Sequence, residues 1–264
     1  MMRELSIKNL SLKIGQKSIF TDINLICSSN NVVSYQDLPT NSCHNLNIDN
    51  AQLAQYTPHS ISELTRNISK DRNGFIVVIK GKNGSGKTCL LQCISGMIPR
   101  HIKGELSGTI LFTRDGTEVM IYPYKDPLKV HPNFFSFLMQ EPNKQICFPY
   151  IEEELLFGAE NLQRNFSDVK LEYEMLLDCF PFLKSKGKET SSLSFGQKKM
   201  LLFSAMVLKD PDIFLLDEFG VGISEDFKKI IKNILLRLKS KGKIIFITEH
   251  ESFFDEDTDR ILYL

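Results

Sequence analysis

The chain has 264 residues with 32 basic and 32 acidic side chains, so its formal net charge at pH 7 is zero. This length suits one large α/β domain or one domain with a subdomain, and the balanced charge excludes bulk electrostatic attraction as a reason to expect nucleic acid or an anionic surface as a partner. The six cysteines form no C-x-x-C pair, which favours a reduced, cytosolic compartment. No apolar run approaches the roughly 18 residues of a membrane-spanning helix, and the first residues do not read as a signal peptide, so any membrane role is expected to be peripheral and to depend on a partner.

Two strands are predicted near the start, over residues 5–12 and 18–27, from their alternating apolar residues. Residues 28–73 then change character and are rich in Asn, Ser, Gln and Thr. A loop of this length is unusual inside a compact domain, so we interpret it as a surface insertion with one or two strands of its own, such as residues 31–35. A tolerated insertion is favoured over a functional one.

A phosphate-binding loop follows the apolar strand that is predicted over residues 75–79. The run Gly81-Lys82-Asn83-Gly84-Ser85-Gly86-Lys87-Thr88 matches the pattern G-x-x-x-x-G-K-[ST], in which the backbone N–H groups of a glycine-rich turn surround a phosphate. A helix predicted over residues 88–95 adds its N-terminal dipole at the same point. Lys87 is expected to reach the β- and γ-phosphates of a nucleotide, and the Thr88 hydroxyl to hold Mg²⁺. The alternative is a plain glycine turn between a strand and a helix.

The remaining elements alternate between strands and helices, with a hairpin turn predicted at Asp115-Gly116. This order is typical of an α/β fold with a mainly parallel sheet covered on both faces. Further strands are predicted within residues 104–112, 118–122, 134–139, 212–217 and 243–248, and helices within 150–187 and 224–239.

Two acids, Asp217 and Glu218, follow the apolar run 213–216. A strand buried on both faces would place them at its carboxyl end, beside the phosphate-binding loop. Asp217 suits the orientation of Mg²⁺ through water, and Glu218 suits the role of a general base that polarises the attacking water. The alternative is a pair of solvated acids in a loop.

The segment Leu193-Ser194-Phe195-Gly196-Gln197 makes the chain resemble the ATP-binding cassette (ABC) family of ATPases, whose signature is LSGGQ. The motifs of that family occur in the family's order: Walker A at 81–88, a Q-loop glutamine at Gln140, the signature at 193–197, Walker B at 213–218 and a switch histidine at His250. The resemblance covers nearly the whole chain outside residues 28–73. It implies a P-loop NTPase fold with a mainly parallel core sheet, an antiparallel β-subdomain and a helical subdomain.

The resemblance also implies how this single domain, residues 1–264, is divided. The antiparallel β-subdomain is expected over residues 1–27 and 109–122, with 28–73 as the polar insertion. The helical subdomain, which carries the signature, is expected over residues 150–197. The RecA-like core is expected over residues 74–108, 123–149 and 198–264.

In this family two cassettes bind head to tail, and the signature helix of one points its N-terminal dipole at the γ-phosphate held by the other. The resemblance therefore implies ATP and Mg²⁺ as cofactors and assigns roles to residues of this sequence. The implied nucleotide-binding residues are Gly81, Asn83, Gly84, Ser85, Gly86, Lys87, Thr88 and Cys89, with Ser194, Gly196 and Gln197 acting across the interface. The implied catalytic residues are Glu218, His250 and Gln140, and the implied metal ligands are Thr88, Gln140 and Asp217.

A closer resemblance to the energy-coupling factor (ECF) transporter ATPases lies in residues 98–108, 140–149 and 152–162. It implies an importer of a vitamin or a metal ion, with this chain as its peripheral subunit at the cytoplasmic face of the cell membrane. The implied partners are a second cassette, identical or different, and a transmembrane subunit that contacts the region from Gln140 to Tyr150. No nucleic-acid partner is expected. The alternative for the aromatic residues of that region is ordinary core packing.

Some positions depart from the family pattern. Phe195 stands where the signature has glycine, and its benzyl group is expected to narrow the approach of the opposite nucleotide. Residues 219–224 replace P-T-x-x-L-D, so Ser224 stands at the place of the D-loop aspartate. Ile14 stands near the position of the adenine-stacking aromatic, and the C-terminal extension that is usual in the ECF group is not expected. These departures predict slow ATP hydrolysis and an asymmetric dimer.

Three alternatives remain beside an importer ATPase. A degenerate cassette could hold ATP as the structural half of a heterodimer, which the altered signature and D-loop favour and the presence of Glu218 and His250 opposes. A soluble ABC ATPase acting on ribosomes or DNA is disfavoured because twin cassettes and long coiled coils are not evident in the sequence. A P-loop kinase is disfavoured by the signature and by Gln140.

Overall fold

The structure is a computed structural model that describes residues 2–28, 74–123, 134–184, 187–249 and 254–264. The predicted insertion at 28–73, apart from Ser28, lies outside the described residues, as does the predicted switch histidine, His250. The described chain forms two sheets and six helices that we number in chain order. None of its helices combines the length and the apolar character that crossing a membrane requires.

The first sheet is antiparallel and has four strands in the order β2-β1-β4-β5. The strands are β1 (Arg3–Ile14), β2 (Lys17–Ser28), β4 (Glu105–Arg114) and β5 (Thr117–Tyr122). Both predicted strands at the start of the chain and the predicted hairpin are confirmed. In β1, Leu5 pairs with Cys27 on one side and with Phe112 on the other, and all three side chains are fully buried. The sheet reaches back to Glu105, ahead of the boundary expected at residue 109, and the division into subdomains stays a prediction.

The second sheet is entirely parallel and has five strands in the order β6-β7-β8-β3-β9. The strands are β3 (Phe75–Lys80), β6 (Phe135–Leu138), β7 (Ile213–Leu216), β8 (Ile244–Thr248) and β9 (Arg260–Tyr263). Four of them match strands predicted from the sequence, whereas β9 was not predicted. Its four residues are only partly buried or exposed, so they lack the continuous apolar run that marks a central parallel strand.

The parallel sheet is covered on both faces, as predicted, because successive side chains of its strands point to opposite sides. In β3, Val77 and Ile79 pack with the helix α1 (Lys87–Ile94), whereas Ile76 and Val78 pack with helices on the other face. The helices of that second core are α3 (Ile151–Asn161), α4 (Phe166–Cys179), α5 (Phe195–Lys209) and α6 (Glu225–Ser240). A short kinked helix, α2 (Met97–Arg100), connects α1 with β4.

A buried ion-pair cluster joins the two sheets. The carboxylate of Asp212, just before β7, accepts hydrogen bonds from Nε of Arg3 at 2.5 Å and from Arg114 at 3.0 Å. Asp212 is 2% exposed and Arg3 is 5% exposed, and Arg3 also donates to the carbonyl of Gly242. The first strand of the chain is thereby attached to the sheet that carries the phosphate-binding loop.

Candidate nucleotide site

The phosphate-binding loop spans the six residues 81–86 between β3 and α1. Gly84 and Gly86 have positive φ angles of 78° and 103°, which glycine adopts without steric cost. A Cβ on Gly86 would lie 2.6 Å from Cγ2 of Ile19, so the β1–β2 hairpin is in close contact with the loop. The predicted strand, turn and helix are confirmed in this order. The alternative of a plain turn does not account for the side chains gathered around it.

Two side chains of the loop region, Lys87 and Ser85, are arranged in ways that suit a phosphate ligand. Lys87 is 6% exposed and donates from Nζ to the carbonyls of Gly81 at 2.8 Å and Lys82 at 3.1 Å, so its ammonium lies across the loop. The buried hydroxyl of Ser85 has no hydrogen-bond partner among the described residues. Such an orphaned polar atom is costly unless a ligand or water satisfies it. Cys89 lies partly exposed in the first turn of α1.

Asp217 lies opposite this loop, at the carboxyl end of β7. Its Oδ2 accepts the Thr88 hydroxyl at 2.8 Å, and its Oδ1 accepts the Thr248 hydroxyl at 2.7 Å. Burial raises the pKa of Asp217, while the bonds from the two hydroxyls act to lower it. The structure thus brings Walker A and Walker B together, as a parallel sheet requires for residues at the carboxyl ends of its strands.

Oxygen atoms of Thr88 and Asp217 fit a Mg²⁺ ion. Hydroxyl and carboxylate oxygens are the ligands this cation prefers, and the two oxygens lie 2.8 Å apart. A buried carboxylate whose pKa is raised by desolvation is also one that a divalent cation would stabilise. Gln140 is the third predicted ligand; its amide nitrogen bonds Glu218 instead, and its contact with the metal stays a prediction.

Glu218 is held by its backbone and by its side chain. Its N–H donates to Oγ1 of Thr248 at 2.8 Å, and its Oε2 accepts Nε2 of Gln140 at 2.5 Å. Gln140 lies shortly after β6, the strand that pairs with β7, which explains why two residues distant in sequence meet. Glu218 has a φ angle of 45°, a left-handed conformation that is uncommon for residues other than glycine, asparagine and aspartate and concentrates at functional sites.

The signature residues form the N-terminus of α5. Ser194 caps the helix by accepting the N–H of Gln197 at 3.2 Å, and the Gln197 side chain accepts the N–H of Ser194 at 3.0 Å, which together make a capping box. Gly196 is tightly packed, since a Cβ there would lie 2.4 Å from the carbonyl oxygen of Gly222. The contact of these three residues with a nucleotide on a second chain stays a prediction.

Glu249, directly before His250, is a buried acid at the end of β8. Burial and the nearby carboxylate of Asp255 raise the pKa of Glu249 from 4.5 to about 7, whereas the charge of Lys80 acts to lower it. Lys80 in turn pairs with Asp255 at 2.5 Å. The three charged groups surround the point where the chain leaves β8 toward the predicted switch histidine.

Two residues of this site were missed from the sequence. Thr248 links Asp217 with Glu218 through one hydroxyl, and Lys199 contacts the Glu218 carbonyl from α5. The available signals for them were a hydroxyl at the end of an otherwise apolar strand and a lysine directly before the apolar run 200–203 of α5.

The tip of the β1–β2 hairpin exposes an aliphatic side chain. Ile14 is 37% exposed, whereas Phe20, the single aromatic residue of the described range 2–28, is 8% exposed and packs in the core. Within that range, no exposed aromatic ring is available to stack on a base.

Comparison with known proteins decides the family. A model of the ABC transporter family matches residues 66–219, more than half of the chain. The chain belongs to the ABC transporter family. Members of this family bind and hydrolyse ATP, and the Thr88, Asp217 and Glu218 geometry described above lies within the matched region or at its edge.

Several ABC proteins are similar to this chain. A putative ABC transporter ATP-binding protein of Sulfurisphaera tokodaii is 31% identical over 217 residues, covering 80% of this chain and 44% of the relative. The energy-coupling factor transporter ATP-binding protein EcfA1 of Thermotoga maritima is 29% identical over 191 residues, covering 72% of this chain and 68% of the relative. The chain spans less than half the length of some ABC relatives, as the S. tokodaii protein shows.

Solved ABC structures share the fold. The ATP-binding subunit of an ABC transporter superposes with a TM-score of 0.69 at 16% identity, covering 98% of this chain and 85% of the other. The structure of cbiO1 from Clostridium perfringens, described as part of the ABC transporter complex cbiONQ, gives a TM-score of 0.59 at 22% identity and covers 94% and 78%. At these identities the likeness supports the ABC fold alone, and the expected fold class is confirmed.

Proposed function

We propose that the chain is the ATP-hydrolysing subunit of an ECF-type importer, bound at the cytoplasmic face of the membrane and working as one of two paired cassettes. The observation that carries the hydrolytic role is the hydrogen-bonded set that joins Thr88, Asp217 and Glu218 at the mouth of the phosphate-binding loop. The ECF assignment, with a vitamin or a metal ion as cargo, is supported by the residues quoted above and by the similarity to EcfA1.

The proposed chemistry follows from this geometry. The loop amides and Lys87 hold the β- and γ-phosphates. Thr88 and Asp217 would hold a Mg²⁺ ion, which would supply positive charge to neutralise the phosphates. Glu218 accepts a proton from the attacking water while the oxygen of that water forms a bond to the γ-phosphorus. The bond from that phosphorus to the β–γ bridging oxygen breaks, so that ADP and phosphate are the products. Gln140, which donates to Glu218, orients the carboxylate and the water.

The altered signature favours a second candidate, in which the chain is the weak half of a heterodimer. Phe195 is 40% exposed at the N-terminus of α5, where the family pattern would leave room for a phosphate. Ser224, at the place of the D-loop aspartate, accepts the N–H of Phe227 at 3.4 Å and so caps its own helix. Both features weaken the contribution of this chain to the site of a partner, while its own loop and Glu218 remain in place.

The two candidates predict different concentration dependence for ATP hydrolysis by the purified chain. If two copies complete each other's sites, turnover per chain rises with chain concentration and disappears on removal of Mg²⁺ by a chelator. If a different cassette is required, the chain alone binds ATP with little turnover at any concentration, and adding the second cassette restores hydrolysis. Steady-state phosphate release measured across a concentration series distinguishes them. A chain that binds no ATP in the presence of Mg²⁺ would contradict both.

The surface expected to meet a membrane subunit is an open groove beside α3. It has a volume of about 560 Å³, and two of its aromatic side chains, Tyr150 and Phe157, are 43% and 44% exposed. The rings of Phe148 and Phe157 lie 4.8 Å apart. Three acids, Glu152, Glu153 and Glu160, line the same groove, and its described lining includes no basic side chain. We infer that the membrane subunit inserts a helix with apolar and basic side chains here.

Charge reversal in this groove tests the membrane contact. We expect the double variant Glu152→Lys and Glu153→Lys to lose most of its retention on membranes that contain the native transporter, because the inferred basic helix would then face like charges. Sedimentation with those membranes measures the effect, and ATP binding in solution should be unchanged. Glu174→Lys is the matched control, since Glu174 is an exposed acid of α4 outside the groove. Equal retention of the double variant and the control would contradict the assignment.

A further inference from the structure

Lys199 is a fully buried lysine that reaches the catalytic turn. It lies in α5 with 0% exposure. Its Nζ donates to the carbonyl of Glu218 at 2.7 Å and to the carbonyl of Val221 at 3.0 Å. One ammonium group thus bridges both ends of the turn that begins at the proposed general base.

The turn that begins at Glu218 contains a residue in an unfavourable backbone conformation, so it requires contacts from outside the turn. The Glu218 carbonyl also accepts the N–H of Val221 at 3.3 Å, which closes a four-residue turn. Glu218 enters this turn with a φ angle of 45°, and a non-glycine residue persists in that conformation where the surroundings over-determine it. Thr248 holds the N–H of Glu218 and Lys199 holds its carbonyl, so both ends of the residue's backbone are fixed while its carboxylate faces Gln140.

Phe195 covers the ammonium of Lys199. Its ring centroid lies 5.1 Å from Nζ, within the distance of a cation–π contact. The ring rests on Gly222, where a Cβ would come within 2.9 Å of Cδ1 of Phe195. Phe195 stands where the family pattern has glycine, and Gly222 lies in the segment 219–224 that replaces the family's P-T-x-x-L-D. The structure shows that these two residues pack against each other.

The burial of Lys199 is energetically unfavourable without a compensating role. Desolvation lowers the pKa of Lys199 to about 8, although the negative charges of Glu218, Asp217 and Glu141 favour its protonated form. Replacing a whole buried ion pair with apolar residues of similar volume is often neutral or stabilising, because taking charges out of water is costly. Fold stability is therefore a weak explanation for a lysine at this fully buried position.

We propose that Lys199 is a positioning residue for ATP hydrolysis, which fixes the Glu218 turn through its two carbonyl bonds while Phe195 shields it from water. The proposal rests on the proposed function, because it assigns Lys199 to the hydrolytic step in which Glu218 is the base. Lys199 acts through the backbone of Glu218 and not through contact with the nucleotide.

The test compares Lys199→Met with a matched control on the same helix. Lys209→Met is that control, because Lys209 is a partly buried lysine near the other end of α5 that donates to the carbonyl of Phe135 at 3.2 Å and its pKa is likewise lowered by burial. We expect Lys199→Met to lower kcat by about tenfold to a hundredfold, as small misplacements of catalytic groups do, with the KM for ATP changed by less than about twofold. Lys209→Met should leave both constants unchanged. Should Lys199→Met not fold, Lys199→Gln supplies the same comparison.

A double-mutant cycle separates this inference from the proposed function. If Lys199 acts through Glu218, then Lys199→Met adds no further loss of kcat in a Glu218→Gln background, because residues that act as a unit are not additive. Equal kcat for Lys199→Met and the native chain, or a full additional loss in the Glu218→Gln background, would overturn the positioning role. Unchanged turnover in Glu218→Gln alone would instead overturn the proposed function.

Discussion

We expect the substitution Glu218→Gln to lower ATP turnover by about 100-fold to 10,000-fold, the range of general acid–base contributions, while ATP binding persists. The amide is nearly isosteric with the carboxylate but cannot accept the proton of the attacking water. The Thr248 hydroxyl keeps both of its hydrogen bonds, because it donates to Asp217 and accepts the backbone N–H of residue 218. Binding should therefore be uncoupled from hydrolysis.

The measurement for Glu218→Gln has two parts. Single-turnover hydrolysis reports the chemical step, and size-exclusion chromatography with ATP and Mg²⁺ should show a dimer that persists, because the trapped nucleotide would stay between the two cassettes. Glu174→Gln, at an exposed acid of α4, is the matched control and should behave like the native chain. A Glu218→Gln variant that turns over ATP at the native rate would disprove the general-base assignment.

The largest expected effect on stability is at Asp212. We expect Asp212→Ala to reduce the free energy of unfolding by about 3–5 kcal/mol, the usual cost of removing one partner of a buried ion pair. Its carboxylate bonds Arg3 and Arg114, and without it the guanidinium of Arg3, 5% exposed, would lose its buried counter-charge. The variant should also loosen the attachment of β1 to the parallel sheet.

Urea denaturation followed by circular dichroism measures this loss of stability. Glu174→Ala is the control, since it removes an acid whose side chain is 59% exposed and pairs with Lys170 at 3.9 Å, and surface pairs of this kind contribute less than about 1 kcal/mol. A loss at Asp212 no larger than that of the control would show that the cluster is not what joins the two sheets. ATP binding should fall only when the chain begins to unfold.

The elements nearest the phosphate-binding loop were the best predicted. The strand before the loop and the acids at the end of β7 are marked by continuous apolar runs, which arise when a parallel strand is buried on both faces. One strand, β9, was not predictable in this way. The strand β9 carries only partly buried or exposed residues, and its existence depends on pairing with β3, far away in the sequence.

The sequence predicted which residues belong to the candidate site, but not which contacts those residues make. The motif residues Thr88, Asp217 and Glu218 were each assigned from local pattern, and the structure brings them together. Thr248 and Lys199 were missed because their roles consist of bonds to atoms that are remote in sequence, one of them a backbone carbonyl. A pattern of side chains in the sequence does not predict a hydrogen bond to a distant backbone carbonyl.

The sequence by itself determined the ligand class and the family, because a phosphate-binding loop and an ordered series of short motifs depend on residue types at fixed local spacing. The tertiary structure alone decided that Phe195 packs against Gly222 and that Lys199 is the cation that holds the turn at Glu218. The reason is physical: a glycine-rich turn is specified by a few adjacent residues, whereas the packing of α5 against the end of β7 is specified by the parallel sheet, whose strands come from all parts of the chain.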